Sequence, residues 1–531
     1  MTAVYPLTRK VIALMLINVA LGLDGWFSTA QAAPPEILWQ KSFGGSGDDT
    51  LIVVKPTSDG GYVLGGYSKS GVSGNKTNAG FGDYDYWVVK VDAGGNKQWD
   101  KCFGGTSEDK LYCLQPTGDG GYLLGGYSES EVSGNKTSAH YGFRDFWVVK
   151  VDADGNHQWD NSFGGSGDNF SADLLYSLQP TSDGGFLLGG ISESDVSGNK
   201  ASTNWGSWDY WLVKIDTNGV KQWDKSFGGT GSDYLHALQP TADGGFILAG
   251  ESPPGISGNK TNAGFGASWW DYWLVKVDAN GDKLWEQTFG GTRYDYLYAV
   301  QATSDGGYIL GGTSDSIVSG NKTNSGSGSA DYWLVKTDVD GNKQWDRSFG
   351  GSSDEELYSV QQTSDGGYLL GGNSWSGASG NKSNVSFGSD DYWLVKADTN
   401  GDKQWELTFG GSGRDELHSV ISTGDGGCLL AGNSGSGVSG NKTTASFGDY
   451  DFWLVKLGTP LRFSSFSRDS NQVFQAQLTG LPGTNYIFQA SSDLTSWVSL
   501  LTNSAPDGLV SFSDTNAHGL PARFYRAQQQ P

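Results

Sequence analysis

Cysteine, methionine and histidine are scarce in this chain of 531 residues, which has three, two and five of them. The five histidines do not cluster in the sequence, and no Ser/His/Asp arrangement, zinc-ligand spacing or phosphate loop stands out. Cys102 and Cys113 fall on successive predicted strands that we place at opposite radii of the fold, too far apart for disulfide geometry. With Cys428 as the third cysteine, we predict no disulfide.

Positive charge is also in short supply: 35 Lys and Arg residues against 58 Asp and Glu residues give a net charge of −23 and a pI near 4.5. This balance disfavours nucleic acid and anionic membrane surfaces as partners. High solubility is the simplest consequence of it.

Long apolar runs are absent apart from "VIALMLINVALGL" near the N-terminus, which follows Arg9 and Lys10. A run of this length is too short to span a bilayer as a helix. Ala30 and Ala32 then show the small-x-small spacing of a cleavage site. We interpret residues 1–32 as a signal peptide, with a core or membrane-anchoring helix as the alternative, and expect a secreted or cell-surface protein without a membrane span.

The phrase "DGG", preceded by Ser, Gly or Ala and followed by an apolar strand, occurs seven times at intervals of 60 to 64 residues. A near-fixed period of this size is the signature of repeat architectures. Within one repeat, four short segments such as "DKLYCLQPT", "GYLLGGYS", "DFWVVKVD" and "HQWDNSFGG" are rich in Tyr, Trp, Val and Leu and show no helical period. We predict an all-β fold, a seven-bladed β-propeller over residues 36–457.

The phase of the repeat predicts how the ring closes. The segment "ILWQKSFGG" near residue 36 matches a fourth strand, whereas the last repeat stops at "DFWLVKL". We expect residues 36–45 to complete the last blade and so to remove both sheet edges. "SDGG" is interpreted as a tight turn, and the later Gly pair of "LLGG" as the end of the strand, where a Cβ would clash.

Segments such as "DADGN" and "DVDGN" are faintly similar to calcium loops. Their Gly stands at the fourth position rather than the sixth, so we favour a hairpin turn between the third and fourth strands.

The repeat "W…FGG…D…L…T.DGGY.LGG.S…SGNK…G..DYW.VK.D..G" resembles the ~60-residue β-propeller repeats of large secreted and surface proteins of bacteria, and is similar in layout to kelch repeats. The resemblance covers residues 36–457. It implies a propeller, export, and a binding or structural role with no catalytic residues to carry over.

The tail, residues 461–531, has a different pattern, in which alternating strands are separated by "LPGTN", "DLTS" and "APDG". We predict a small β-sandwich there. It is similar to fibronectin type III or immunoglobulin-like modules, which implies adhesion, attachment or a spacer.

A carboxylate precedes the innermost strand of every repeat: Asp49, Asp109, Asp173, Asp233, Asp295, Glu355 and Asp415. Seven like charges around a channel mouth repel unless something compensates them. Three interpretations remain open. The carboxylates could bond their own loops, pair with the lysines of "SGNK" (Lys76, Lys136, Lys200, Lys260, Lys322, Lys382 and Lys442), or bind a cation such as Ca²⁺, the one metal cofactor that the sequence suggests.

Tryptophans mark where the repeats differ: Trp205 and Trp208 in the third repeat, Trp269 and Trp270 in the fourth. Exposed aromatic rings stack on sugars or anchor protein partners. The alternative is that each covers its own loop, as we expect of Phe81, Phe265, Phe387 and Phe447. Extra residues in the third repeat also predict Asp168 and Phe170 near the axis.

We therefore predict a secreted or cell-surface scaffold, a monomer whose function is binding or structural, with adhesion or carbohydrate recognition as its task. The expected partner is an extracellular polysaccharide or a surface protein. The alternative is a polysaccharide-degrading enzyme, a glycoside hydrolase with a carboxylate pair at the propeller mouth.

Overall fold

The computed structural model describes residues 34–166, 171–458, 462–468, 473–480, 484–505, 509–517 and 523–529, together with the backbone of Ile12–Met15. These residues form β-strands and one 3₁₀ turn, Thr515–Ala517, and no α-helix lies among them. The all-β prediction is confirmed. None of the described segments is a helix long and apolar enough to cross a bilayer.

Within the described part of the chain, the repeats form seven four-stranded antiparallel sheets, each numbered here after its repeat, and the last takes one strand from the N-terminal part of the chain. Sheet 1 contains Asp49–Pro56, Tyr62–Ser68, Asp85–Val91 and Lys97–Phe103; sheet 2 contains Asp109–Pro116, Tyr122–Ser128, Asp145–Val151 and His157–Phe163; sheet 3 contains Asp173–Pro180, Phe186–Ser192, Asp209–Ile215 and Lys221–Phe227; sheet 4 contains Tyr234–Pro240, Phe246–Ser252, Asp271–Val277 and Lys283–Phe289.

The remaining repeats follow the same order. Sheet 5 contains Asp295–Ala302, Tyr308–Ser314, Asp331–Thr337 and Lys343–Phe349; sheet 6 contains Glu355–Gln362, Tyr368–Ser374, Asp391–Ala397 and Lys403–Phe409. Sheet 7 takes Asp415–Ser422, Cys428–Ser434 and Asp451–Gly458 from the last repeat, and its fourth strand is Glu36–Phe43.

The hydrophobic core lies between neighbouring sheets. One cluster joins Val88 and Phe103 of sheet 1 to Leu111 and Trp147 of sheet 2, and similar clusters join the sheets that follow. Sheet 7 also contacts sheet 1, where the ring centroids of Phe452 and Trp87 are 4.5 Å apart. Antiparallel four-stranded sheets that pack one after another in chain order make a β-propeller.

The paired glycines of the second strand are not at its end, where the sequence analysis placed them. Gly65 and Gly66 lie inside the strand Tyr62–Ser68 and do not end it. The predicted crowding is present, since a Cβ on Gly65 would approach Leu111 Cδ2 of sheet 2 to 2.9 Å, and one on Gly66 would approach the Thr50 carbonyl oxygen to 1.9 Å. The register shifts between Leu51 and Val53, so a bulge accommodates the glycines and the strand continues.

The turns follow the sequence prediction. In the first "DGG" turn, Gly60 has φ of +81°, and Asp59 Oδ1 accepts a hydrogen bond of 3.0 Å from Gly61 N. The other oxygen of Asp59 forms a 2.7 Å ion pair with Lys90. In the hairpin between third and fourth strands, Asp92 Oδ1 accepts hydrogen bonds from the backbone, at 2.9 Å from Gly94 N.

The C-terminal strands belong to a second compact unit. Arg462–Arg468, Phe474–Thr479 and Leu509–Asp514 form a three-stranded sheet, while Thr484–Ser491, Val498–Ala505 and Phe524–Gln529 form another, to which Ile12–Met15 adds an edge strand. Alternate residues of both sheets share one core, in which Phe474 stacks on Tyr525 at 4.1 Å. Ile12–Met15 lies within the predicted signal peptide, whose cleavage stays a prediction; in the uncleaved chain, this apolar segment covers an open sheet edge.

Candidate functional site

The "SGNK" segments are clamps between consecutive loops. Asn75 of sheet 1 accepts a hydrogen bond from Gly44 N at 2.9 Å and donates one to the Ser42 carbonyl, also at 2.9 Å, so it fixes the "FGG" loop that precedes sheet 1. Gly74 has φ of +57° at this turn. Every repeat carries the equivalent Asn bond. The segment therefore has a structural role in all seven repeats.

The lysines of these segments are buried and do not pair with carboxylates. Lys76 Nζ donates to the carbonyl oxygens of Ser70 and Asn78, at 2.9 and 2.8 Å, and lies 5.8 Å from the centre of the Trp87 ring. Within the described residues, no ion pair joins an "SGNK" lysine to one of the seven predicted ring carboxylates. The salt-bridge interpretation receives no contact to support it.

The seven carboxylates are fully buried at the start of the innermost strands rather than exposed at a channel mouth. Asp49 Oδ2 accepts hydrogen bonds from Gly45 N at 2.7 Å and from Ser70 Oγ at 2.9 Å. All seven accept the backbone hydrogen bond from the second glycine of their "FGG" loop. They therefore bond their own loops, and the described residues contain no group of three side chains arranged to hold a metal ion.

A second set of buried carboxylates faces the first across each "FGG" loop. These are the first residues of the third strands: Asp85, Asp145, Asp209, Asp271, Asp331, Asp391 and Asp451. A Cβ on Gly104 would lie 1.9 Å from Asp85 Oδ1 and 2.8 Å from Asp109 Oδ2. Burial, reinforced by the neighbouring charge of Asp109, raises the pKa of Asp85 to about 7, and burial raises the pKa of Asp109 to about 6.

A row of ring side chains crosses six of the innermost strands. Its members occupy one repeat position: Tyr112, Tyr176, His236, Tyr298, Tyr358 and His418, with Ile52 at that position in sheet 1. Consecutive ring centroids are 5.0 to 5.6 Å apart. Burial lowers the pKa of His418 to about 4, so its imidazole is neutral. These contacts give His236 and His418 a packing role in the row.

Three of the four predicted tryptophans belong to one aromatic face, made by Trp208, Tyr234, Trp269, Trp270, Tyr294 and Tyr296. Trp208 and Trp270 both lie next to Tyr234, at 6.4 and 6.2 Å between centroids. Trp270 stacks on Tyr294 at 5.5 Å, and Tyr294 stacks on Tyr296 at 5.4 Å. Tyr296 stacks in turn on Tyr298 of the ring row, at 6.4 Å. The face thus runs from the loops of sheets 3 to 5 towards the innermost strands.

The aromatic face is fixed in place and partly open. Trp270 Nε1 donates a 3.0 Å hydrogen bond to the Ser232 carbonyl, and Trp269 packs edge-on against Tyr294 at 4.5 Å while 40% of its surface is exposed. Sequence reasoning missed Tyr234, Tyr294 and Tyr296. Comparing the repeats at their positions would have found them, since sheets 1 and 2 carry Thr, Lys or an acid there.

Trp205 lies apart from the aromatic face. It lies over a glycine of the next loop, since a Cβ on Gly258 would approach Trp205 Cβ to 3.0 Å, just as Phe81 lies over Gly134. Among the described residues, no ring contact joins Trp205 to the other tryptophans. Trp205 therefore covers its loop, the alternative given in the sequence analysis, and it lines a separate surface cavity of about 370 Å³ with Asp224 and Lys283.

The predicted axial residues Asp168 and Phe170 lie outside the described residues.

Other repeats carry charged residues where the aromatic face has tryptophans, and we call this part of the propeller the charged side. At the positions of Trp208 and Trp270, sheets 2 and 6 carry Arg144 and Asp390. Arg144 pairs with Glu129 at 2.7 Å, and Asp390 pairs with Arg414 at 2.8 Å. The three cysteines, Cys102, Cys113 and Cys428, are buried and free and contribute to neither side.

The fold makes this chain a β-propeller repeat protein. No protein-family model matches it. A stretch of 213 residues is 25% identical to the regulatory protein FlaEY of Caulobacter vibrioides, and the match covers 39% of this chain and 21% of that protein, so the chain spans about a fifth of the length of this relative.

Solved structures overlap only loosely. Sqt1 from Chaetomium thermophilum is 13% identical with a TM-score of 0.39, covering 82% of this chain and 97% of Sqt1. Puromycin hydrolase is 9% identical with a TM-score of 0.43, covering 82% of this chain and 60% of the hydrolase. Overlap at this level carries no argument about activity.

Proposed function

We propose that the protein is a secreted or cell-surface scaffold, non-catalytic, that binds an extracellular polysaccharide through its aromatic face. The seven sheets would be the blades of one closed ring, completed by Glu36–Phe43, and the C-terminal unit a module similar to fibronectin type III or immunoglobulin-like domains. Two contacts support closure: Asp49 N of sheet 1 donates to the Tyr450 carbonyl of sheet 7 at 2.9 Å, and within sheet 7 Ser42 Oγ of the N-terminal strand bonds Thr444 Oγ1 at 2.7 Å.

The aromatic face is the observation that carries this proposal. Flat rings that are held by stacking and partly exposed offer the apolar faces of sugar rings a matching surface at low entropy cost. The face lies in three of the seven repeats, where the repeat pattern itself does not require it. A patch that packs the fold would recur in every sheet, as the buried Trp of the third strand does.

The experiment compares retention of the mature protein on insoluble polysaccharides with that of Trp208→Ala and Trp270→Ala. Loss of a central aromatic anchor typically costs about 2 kcal/mol of binding, so retention should fall by more than tenfold. The matched control is Trp205→Phe, because other repeats carry Phe at that position. Unchanged retention of both alanine variants, with unchanged melting temperatures, would contradict the proposal.

One observation favours an enzyme as the second candidate. Glu356 and Glu416 occupy the same position on adjacent innermost strands, and burial, together with the charge of Glu416, raises the pKa of Glu356. Tyr358 Oη donates a hydrogen bond to Glu356. A carboxyl group with a raised pKa beside a second carboxyl group is the type of pair that glycoside hydrolysis uses. Release of reducing ends from the retained polysaccharide, lost in Glu356→Gln, would replace the scaffold proposal by this one.

A further inference from the structure

A cavity of about 270 Å³ opens in the charged side, between sheets 7 and 1, away from the aromatic face. Three alternate residues of sheet 1 line it: Asp48, which precedes the first strand, and Thr50 and Ile52 on that strand. Glu416 and His418 line it from sheet 7. The volume equals the space of about nine waters at ~30 Å³ each, which is the size of one hexose ring.

Two small side chains make this cavity. Where sheet 1 carries Thr50, sheets 4 and 5 carry Tyr234 and Tyr296 of the aromatic face. Where sheet 1 carries Ile52, the other six sheets carry the Tyr and His rings of the row. The cavity is therefore a departure of the first repeat from the common pattern, and not a gap that the propeller leaves in every repeat.

Three of the four charged residues that line the cavity, Lys110, Arg414 and Glu416, are already in ion pairs. Arg414 pairs with Asp390 at 2.8 Å and with Glu416 at 2.6 Å, and Lys110 pairs with Glu108 at 2.9 Å. A cation would meet Lys110 and Arg414, which line the cavity, and an anion would meet Asp48, which has no ion pair among the described residues. An uncharged ligand meets no such cost.

Hydrogen-bonding groups remain for such a ligand. Asp48 Oδ2 accepts a hydrogen bond of 3.1 Å from Tyr84 Oη, which leaves Asp48 Oδ1 as an acceptor. Asn433 Oδ1 is taken by Leu51 N, so its amide nitrogen faces His418 Nε2 at 3.1 Å. Because His418 is neutral and Nε2 accepts, Nδ1 carries the proton. Carboxylate, hydroxyl, amide and imidazole groups beside tyrosine rings suit a polyol.

We propose that this cavity binds one uncharged pyranose ring, the terminal sugar of a glycan chain. The inference deepens the proposed function and rests on it, since it supplies an end-recognition site separate from the aromatic face. A cavity of this size accepts a single ring, so it selects a chain end, whereas an open aromatic face can contact the interior of a chain.

The test uses titration calorimetry of the mature protein with the methyl glycosides of glucose, galactose, mannose and N-acetylglucosamine, and with glucuronate. At least one neutral glycoside should bind. Glucuronate should bind at least about tenfold more weakly, because its carboxylate would meet that of Asp48. Thr50→Tyr, which introduces the residue of sheets 4 and 5, should abolish binding by filling the cavity. Leu284→Tyr adds the same side chain at an exposed position on sheet 4 and should change nothing.

Asp48→Asn keeps the volume and provides a variant that does not depend on tolerance of a larger ring; it should weaken binding about tenfold. Binding of no neutral glycoside, equal binding by Thr50→Tyr, or tighter binding of glucuronate would each overturn the inference. If the parent is retained on a polysaccharide and binds no glycoside, the proposed function stands and only the cavity site fails. If glycosides bind and no polysaccharide retains the protein, the aromatic-face proposal fails instead.

Discussion

The first glycine of each "FGG" loop separates two buried carboxylates that belong to consecutive sheets. The seven positions are Gly44, Gly104, Gly164, Gly228, Gly290, Gly350 and Gly410. At Gly104, the neighbouring Asp85 cannot swing away, because its Oδ2 accepts a 2.7 Å hydrogen bond from Phe81 N and its side chain is buried. The glycine is therefore required by close approach and not by backbone conformation.

We expect Gly104→Ala to lower the free energy of unfolding by about 2 kcal/mol or more, the range for an overpacked core position. Gly118→Ala is the control, since nothing lies within 4 Å of its Cβ position and other repeats carry Ser there. Urea denaturation of both variants measures the difference. The free energy of unfolding of the control should stay within about 0.5 kcal/mol of that of the parent. If Gly104→Ala also changed it by no more than this, the loop would have relaxed to accommodate the Cβ, and the prediction would be wrong.

At the scale of the strands, one hydrogen bond links neighbouring third strands. Tyr86 Oη donates to the Trp147 carbonyl at 2.9 Å, and Tyr272 Oη to the Trp333 carbonyl at 3.0 Å. The same bond is made from Tyr210, Tyr332 and Tyr392. Sheets 2 and 7 have Phe146 and Phe452 instead, so the ring packing survives without the hydroxyl.

Tyr272→Phe should therefore keep its ring contact with Trp333 and cost about 1 kcal/mol, the net value of one buried hydrogen bond. Tyr308→Phe is the control, because the described residues show no hydrogen bond from its hydroxyl to another side chain or to the backbone. Chemical denaturation should show the first variant destabilised and the second within about 0.5 kcal/mol of the parent. If both variants lost the same free energy of unfolding, the loss would come from removing a polar hydroxyl and not from breaking this hydrogen bond.

The strands and turns could be predicted because each depends on local residue order: apolar triplets, "DGG" and the Asp-Gly hairpins. The prediction that the second strand ends at Gly65 and Gly66 was wrong. The strand continues because of a bulge in the partner strand, and Leu111 of the next sheet requires the glycine. The burial of Asp49, and its approach to Asp451 across Gly44, could not be predicted either. Such contacts join residues far apart in sequence, and a repeat pattern does not say which sheet faces which.

The aromatic face was predicted in part for the same reason. Trp208 and Trp270 stand out as departures from the repeat, whereas Tyr234 and Tyr296 look like ordinary strand residues. Their contact with the tryptophans depends on how the loop of one sheet meets the first strand of the next. Trp205 stands out equally in the sequence, yet its position over Gly258 gives it the role of Phe81.

At the scale of the whole molecule, two sets of acid groups have opposite pKa shifts. The buried carboxylates on the two sides of each "FGG" loop are called the inter-sheet carboxylates here. Burial raises their pKa, to about 6 for Asp49, about 7 for Asp173 and about 8 for Asp271. The "DGG" aspartates go the other way: the hydrogen-bonded ion pair with Lys90 lowers the pKa of Asp59 to about 2, and other repeats follow it.

These two classes determine the sign of the pH dependence. Between the usual value near 3.8 and about 8, the folded state binds more protons at the inter-sheet carboxylates than the unfolded state does, so stability falls as the pH rises from about 4 to 8. The "DGG" aspartates contribute stability above about 4 that is lost as pH falls towards 2. Maximum stability is therefore expected near pH 4 to 5, and the net charge of −23 at neutral pH acts in the same direction.

We expect the melting temperature to rise as the pH is lowered from 8 to 5 and to fall again below pH 4. Asp109→Asn removes one buried charge of the inter-sheet set while keeping the shape, so it should raise the melting temperature at pH 8 and make the profile between pH 5 and 8 less steep. Asp154→Asn, at an exposed hairpin position, is the matched control and should leave the profile unchanged. Calorimetric scans at constant ionic strength from pH 2 to 9 measure all three proteins. A melting temperature that climbs steadily from pH 5 to 8 would show that the inter-sheet carboxylates are already ionised at pH 5, and that their pKa is not raised by burial.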